Sequence, residues 1–118
     1  MKRSLLTVVL LVFLSACSSA TYDTISLDEI HSYIEQEYII VDVREPNEYA
    51  EGHIPGAINV PLSGLQQGNL APLEKDANYI IICRSGNRSQ TASDILYKEG
   101  YTVINTSDGM YSWSGEIE

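Results

Sequence analysis

One segment of this 118-residue chain carries the clearest chemistry, Cys83-Arg84-Ser85-Gly86-Asn87-Arg88-Ser89. It follows Tyr79-Ile80-Ile81-Ile82, a continuous apolar run that reads as a buried strand ending at the cysteine. It precedes Ser89 to Glu99, where Ala92, Ile95 and Leu96 fall at helical spacing and Gly100 supplies a stop. The carboxyl end of a parallel strand is where open α/β sheets bind ligands. The first N–H groups of the following helix lack internal partners, and its dipole adds partial positive charge. Successive N–H groups curled around one point form an anion cradle. A cysteine at the mouth of such a cradle, with Arg84 and Arg88 flanking it, is expected to ionise to the nucleophilic thiolate. Gly86 permits the positive backbone angle a tight turn needs. Ser89 is placed either to cap the helix or to donate to the sulfur. A buried cysteine packing as a small hydrophobe is the plainer alternative, but it requires neither two arginines nor a glycine-bearing turn.

The other cysteine belongs to a different story. Met1-Lys2-Arg3, an apolar stretch from Leu5 to Leu14 and the small residues Ser15-Ala16 before Cys17 form a secretory leader. The apolar stretch is too short for a transmembrane helix, which needs roughly 20 residues. Leu14-Ser15-Ala16-Cys17 resembles the lipobox of bacterial lipoproteins, which implies a leader over residues 1–16 and a lipid on Cys17. A short polar tether over 17–23 and one domain over 24–118 would follow. The implied location is the bacterial cell envelope, as a periplasmic lipoprotein. Ser18 rather than an aspartate after the cysteine favours the outer membrane where a cell has two.

Removing the leader leaves 102 residues, enough for one small core. Loss of Lys2 and Arg3 takes the net charge from −9 to −11. Such acidity argues against nucleic acid and against electrostatic binding to anionic lipid. With Cys17 committed to lipid, Cys83 is the sole free thiol and no internal disulfide can form. One thiol and two separated histidines, His31 and His53, make a metal site improbable, and nothing calls for a cofactor. A monomer is expected.

The elements that must position Cys83 follow from pattern. Ser26-Leu27-Asp28-Glu29 fits a capping box opening a helix to about Glu35. Tyr38 to Val43 is a β-branched strand, and Glu45 to Gly52 a short helix with Pro near its start and Gly past its end. Ala57 to Val60 is a short strand, and Leu62 to Ala77 a loop holding a turn or two of helix. Val103-Ile104 is a last short strand, and Met110 to Trp113 a helical turn. The alternation predicts an α/β domain, a small doubly wound, mostly parallel sheet flanked by helices.

These segments resemble the rhodanese-like sulfurtransferase family. The loop from Cys83 to Ser89 is similar to the family's active-site loop, a cysteine, four residues and an arginine. Val41-Asp42-Val43-Arg44-Glu45-Pro46-Asn47-Glu48-Tyr49 and Gly52-His53-Ile54-Pro55-Gly56-Ala57-Ile58-Asn59-Val60-Pro61 resemble two further signatures. Gly109-Met110 with Trp113 resembles the closing segment, with Asp108 where the family usually has a first glycine. The likeness spans about residues 24–115 and is nearest to the single-domain periplasmic type. It implies a double-displacement reaction in which Cys83 takes sulfane sulfur from thiosulfate or a persulfide and yields it to cyanide or a thiol. The implied partners are small sulfur-containing anions and protein or low-molecular-weight thiols. Backbone N–H groups from Arg84 through Ser85, Gly86, Asn87 and Arg88 to Ser89 would hold the sulfur. Arg84 would bind an anionic donor, Arg88 would brace the loop, and Asp42 and Arg44 would hold neighbouring loops.

Three other readings compete with this one. Cysteine phosphatases of the same fold place five residues between cysteine and arginine, whereas four lie between Cys83 and Arg88. Non-catalytic members lose the cysteine, which is present here. A thiol-redox protein would need a second, resolving cysteine. His53 reads as a hydrogen-bonding turn residue, His31 as a surface residue, and Met110 and Trp113 as core.

Overall fold

The computed structural model describes residues 21–118. The expected leader over 1–16, Cys17 and the first part of the expected tether lie outside the described residues. Five strands form one sheet in the order β1-β5-β4-β2-β3, and every pairing is parallel. They are β1 (Thr24–Ile25), β2 (Ile39–Asp42), β3 (Ile58–Asn59), β4 (Asn78–Ile82) and β5 (Thr102–Thr106). The helices are α1 (Ile30–Glu35), α2 (Pro46–Glu51), α3 (Leu62–Gln66) and α4 (Asn87–Lys98), with 3₁₀ turns at Leu27–Glu29 and Met110–Ser112. The expected sheet flanked by helices is the architecture observed. No helix among the described residues is long and apolar enough to cross a membrane.

The two apolar runs become the central strands because only the middle of a sheet covered on both faces can bury every side chain. Within them the period-two geometry of a strand splits the residues between two cores. Val41, Val43, Tyr79, Ile81 and Cys83 face one side, where Ala92 and Leu96 of α4 cover them. Ile40, Ile80 and Ile82 face the other, against Leu27, Ile30 and Ile54. Met110 and Trp113, expected in the core, pack against this second cluster but stay half-buried.

Register then sets the site. Asp42 pairs with Ile82, so β2 and β4 end at the same level and their next residues emerge side by side. The first strand, β1, was not read from the sequence. Two residues cannot display a periodicity, and Thr24–Ile25 is held instead by its neighbours: Asp23 O accepts from Asn105 N–H and Ile25 O from Ser107 N–H.

Candidate active site

Cys83 lies one residue beyond β4 rather than closing it, with its main chain already turning away from the ladder. Its carbonyl accepts from Met110 N–H at 2.8 Å and that of Arg84 from Tyr111 N–H at 3.0 Å. Both carbonyls are therefore drawn toward the Met110–Ser112 turn, and the peptide N–H groups that follow are left facing inward. Gly86 N–H donates to Cys83 Sγ at 3.1 Å.

The helix begins earlier than the pattern suggested. Gly86, at φ 98° in the left-handed region, is the residue preceding α4, and Asn87 is its first member. Ser89 is thus not the cap. It sits in the first turn, fully buried, and its hydroxyl has the carbonyls of Gly86 at 3.1 Å and Thr106 at 3.3 Å as acceptors. A left-handed glycine reverses the chain within one residue, which is why the helix needs less loop than expected.

Two glycines let the loop close against the end of β5. A Cβ on Gly86 would lie 2.3 Å from Ser107 O, and one on Gly109 would lie 2.3 Å from Cys83 O and 2.5 Å from Arg84 O. Asp108, the departure at the usual glycine position, leaves this approach intact. Its Oδ1 accepts from Leu27 N–H at 3.0 Å, at the start of the first 3₁₀ turn.

Cys83 is 0 % exposed, and burial alone would push its thiol up. The Ser89 hydroxyl and the N–H groups of Ser89, Gly86 and Ser85 outweigh burial, so the thiol titrates below its ordinary value. Arg88 adds only a lesser charge interaction with Cys83. Arg88 grips Glu48 of α2 through Nη1 at 2.6 Å and Nη2 at 2.9 Å. That hydrogen bond, opposed by burial and helped by the Glu45 N–H and the charges of Arg88 and Arg44, lowers the Glu48 carboxyl to about 2. Arg88 is raised above its ordinary value first by Glu48, and the Cys83 charge adds to this only after burial and the Glu48 charge. Arg84 is exposed and lines a cleft of about 260 Å³ with Arg44, Glu48, Glu51, Met110 and Tyr111. Both arginines lie beside the loop, Arg88 held by the Glu48 carboxylate and Arg84 exposed at the cleft.

Asp42 and Arg44 stand at the end of β2 beside the loop. Arg44 Nε and Nη2 donate to the Asp42 carboxylate at 2.6–3.0 Å, and Nη2 reaches Gly52 O at 2.8 Å. Asn59 Nδ2 bonds the carbonyls of Asp42 and Arg44, both at 2.9 Å. Neither Asn59 nor Glu48 was singled out beforehand. Each acts across elements far apart in sequence, so no spacing could reveal it. His53 Nδ1 bonds Tyr49 O at 2.9 Å and its ring stacks on that of Tyr49 at 3.7 Å. His31 is exposed but has a neighbour after all, the Trp113 ring at 6.0 Å.

The family signature described as Rhodanese-like domain matches residues 26–116. YtwF of Bacillus subtilis (strain 168), whose name makes it a candidate sulfurtransferase, is 38% identical over 84 residues, covering 71% of this chain and 81% of that protein. A protein of Allochromatium vinosum named Sulfurtransferase is 36% identical over 80 residues, 67% of this chain and 74% of its own length. Among solved structures, a rhodanese-related protein from Thermoplasma volcanium superposes with a TM-score of 0.74 at 33% identity, covering 82% of this chain and 98% of that one.

Proposed function

The chain belongs to the rhodanese-like family, a family of sulfur-transferring proteins, and on that premise we propose that it moves sulfane sulfur through a persulfide on Cys83. The observation that carries this reading is the convergence of inward-facing N–H groups on Cys83 Sγ, with Gly86 N–H at 3.1 Å. In the first half-reaction the thiolate attacks the outer sulfur of thiosulfate. A new S–S bond forms, the old one breaks, and sulfite leaves with the electron pair. In the second, cyanide or a thiolate attacks the outer sulfur of the Cys83 persulfide and the cysteine leaves as thiolate. No electrons are gained or lost overall, and no cofactor is needed. Preorganised neutral donors suit both half-reactions, because the charge stays on sulfur throughout.

Arg84, exposed at the cleft, is the group available to meet the charge of an anionic donor. The four-residue spacing to Arg88 gives a cup for one sulfur rather than a phosphoryl group. Cys17 is read as the lipid anchor that holds the domain in the bacterial envelope.

The test is direct. Thiosulfate should add one sulfur mass to Cys83 in the intact protein, and cyanide should remove it. Cys83→Ser should abolish transfer while the fold persists, and Arg84→Ala should weaken thiosulfate use more than use of an uncharged persulfide. Sulfur transfer persisting in Cys83→Ser would place the nucleophile elsewhere.

A further inference from the structure

The end of the domain opposite Cys83 has a character of its own. β1 runs parallel to β5 with Thr24 opposite Asn105, so the chain before Thr24 descends toward the start of β5. There the Thr21 and Tyr97 hydroxyls are hydrogen-bonded, and the Tyr22 ring lies 5.8 Å from that of Tyr97. Thr21, Tyr22, Tyr97, Lys98, Tyr101 and Thr102 surround a shallow recess of about 560 Å³. Lys75 Nζ sits 5.3 Å from the centre of the Tyr101 ring. Lys75 and Lys98 are the only lysines after the leader, whereas Arg44 and Arg84 line the cleft beside the Cys83 loop at the far end and Arg88 opens α4 there. The acids Glu35, Glu37, Glu74, Asp76 and Glu99 fall in the segments that lead into the strands at this same end, and the Tyr22 hydroxyl is hydrogen-bonded to Asp94, so this end is net acidic. Tyr97 is exposed there and Tyr22 half-buried, and tyrosine rings favour a membrane interface.

We propose that, in the chain acylated at Cys17, the Tyr22–Tyr97 end lies against phospholipid headgroups while Cys83 opens into the aqueous phase on the far side. This rests on the lipid-anchor reading of Cys17. Chain length excludes the inverted orientation. Cys17 and Thr21 are four residues apart, a span of at most about 14 Å. To invert the domain, the tether would have to climb the sheet, and the five residues of β4 alone rise about 16 Å. Sulfur donors and acceptors are therefore water-soluble, and a carrier dissolved in the bilayer is out of reach of Cys83.

The native Trp113 provides a built-in control, because it follows the carboxyl end of β5 and sits at the Cys83 end. The acylated full chain, reconstituted in phosphatidylcholine vesicles bearing a headgroup nitroxide, should keep its Trp113 emission. The Tyr97→Trp chain should lose most of the added emission in the same vesicles. The mass of Cys17 and flotation with vesicles are read in parallel. If Cys17 carries no acyl group, the anchor reading fails and this proposal with it. If the acylated chain floats but Trp113 is quenched as strongly as a tryptophan introduced by Tyr97→Trp, the orientation alone is overturned.

Discussion

Gly109→Ala isolates the claim that a clamp on the loop carbonyls makes the sulfur cup. Gly109 has φ −140°, an extended conformation open to any residue, so the substitution introduces no backbone strain of its own. Its effect comes from contact. The new methyl would lie 2.3 Å from Cys83 O, 2.4 Å from Arg84 C and 2.5 Å from Arg84 O, all main-chain atoms that cannot swing aside. Relief requires the loop and the Met110–Ser112 turn to separate by about 1 Å, and overpacking of this kind costs roughly 1–3 kcal/mol. The same separation lengthens the bonds from Met110 and Tyr111 N–H and lets the Ser85 and Gly86 N–H groups rotate away from Sγ. Misplacement by about 1 Å costs a reaction on the order of 10²-fold.

The expected result is a folded protein whose sulfur-transfer kcat/KM falls by about that factor. The pH midpoint for alkylation of Cys83 should rise toward the ordinary thiol value. Gly64→Ala is the control, since its nearest neighbour would be an ordinary contact at 3.7 Å and it sits within α3. That change should leave activity unchanged and hold or raise stability by about 0.5–1 kcal/mol. If Gly109→Ala retains parental activity and an unshifted alkylation profile, the clamp does not set the cup and the account of the low thiol pKa is wrong.

Two further outcomes follow from the ion pairs. Glu48 is held at about 2 in the folded protein against an ordinary 4.5, a gap whose upper bound is about 3.4 kcal/mol and which solvent at this partly exposed pair reduces to about 1–2. Because the folded value is depressed, that stability is present above about pH 4.5 and fades as pH falls through about 2. The difference in urea midpoint between the parent and Glu48→Gln should therefore be full at neutral pH and shrink across that window; a pH-independent difference would refute the linkage. Asp42→Asn leaves the Arg44 guanidinium buried with half its partner removed, and breaking such a pair costs about 3–5 kcal/mol. Urea unfolding checks it, and a loss below about 1 kcal/mol would mean that Gly52 O and water suffice for Arg44.

How far the sequence speaks depends on whether a feature is local. The β-branched run before Asp42 and the one before Cys83 announce two buried strands because nothing else tolerates such density of apolar side chains. Pro46 and Gly52 bracket α2 because each has one conformational preference that fits a helix end. The start of α4 was misplaced by two residues because Ser89 looks like a cap in sequence, while the left-handed Gly86 makes the turn and leaves the serine inside. The position of Cys83 between a buried strand and a helix start was legible from its setting. Glu48 and Asn59 were not legible, since their value lies in reaching Arg88 and the Asp42–Arg44 main chain from another element.

The division of labour between backbone and arginine bears on what the site can carry. Were the thiolate held mainly by a guanidinium, loss of its charge to a leaving or arriving anion would be felt at every step, and any anion in the cup would compete with the sulfur. Here the donors to Cys83 are uncharged N–H groups and one hydroxyl, fixed by carbonyls tied to Met110 and Tyr111. Arg88 spends its charge on Glu48, which fastens the first turn of α4 to α2 and so fixes the far wall of the cup. Of the three arginines among the described residues, Arg84 alone has no ion-pair partner, and it stands at the mouth beside Glu48 and Glu51. On the proposed function, a site arranged in this way would meet charge at its entrance and sulfur at its floor. The floor can keep the same bonds whether it holds a thiolate or the persulfide, which is the property a carrier of sulfur requires.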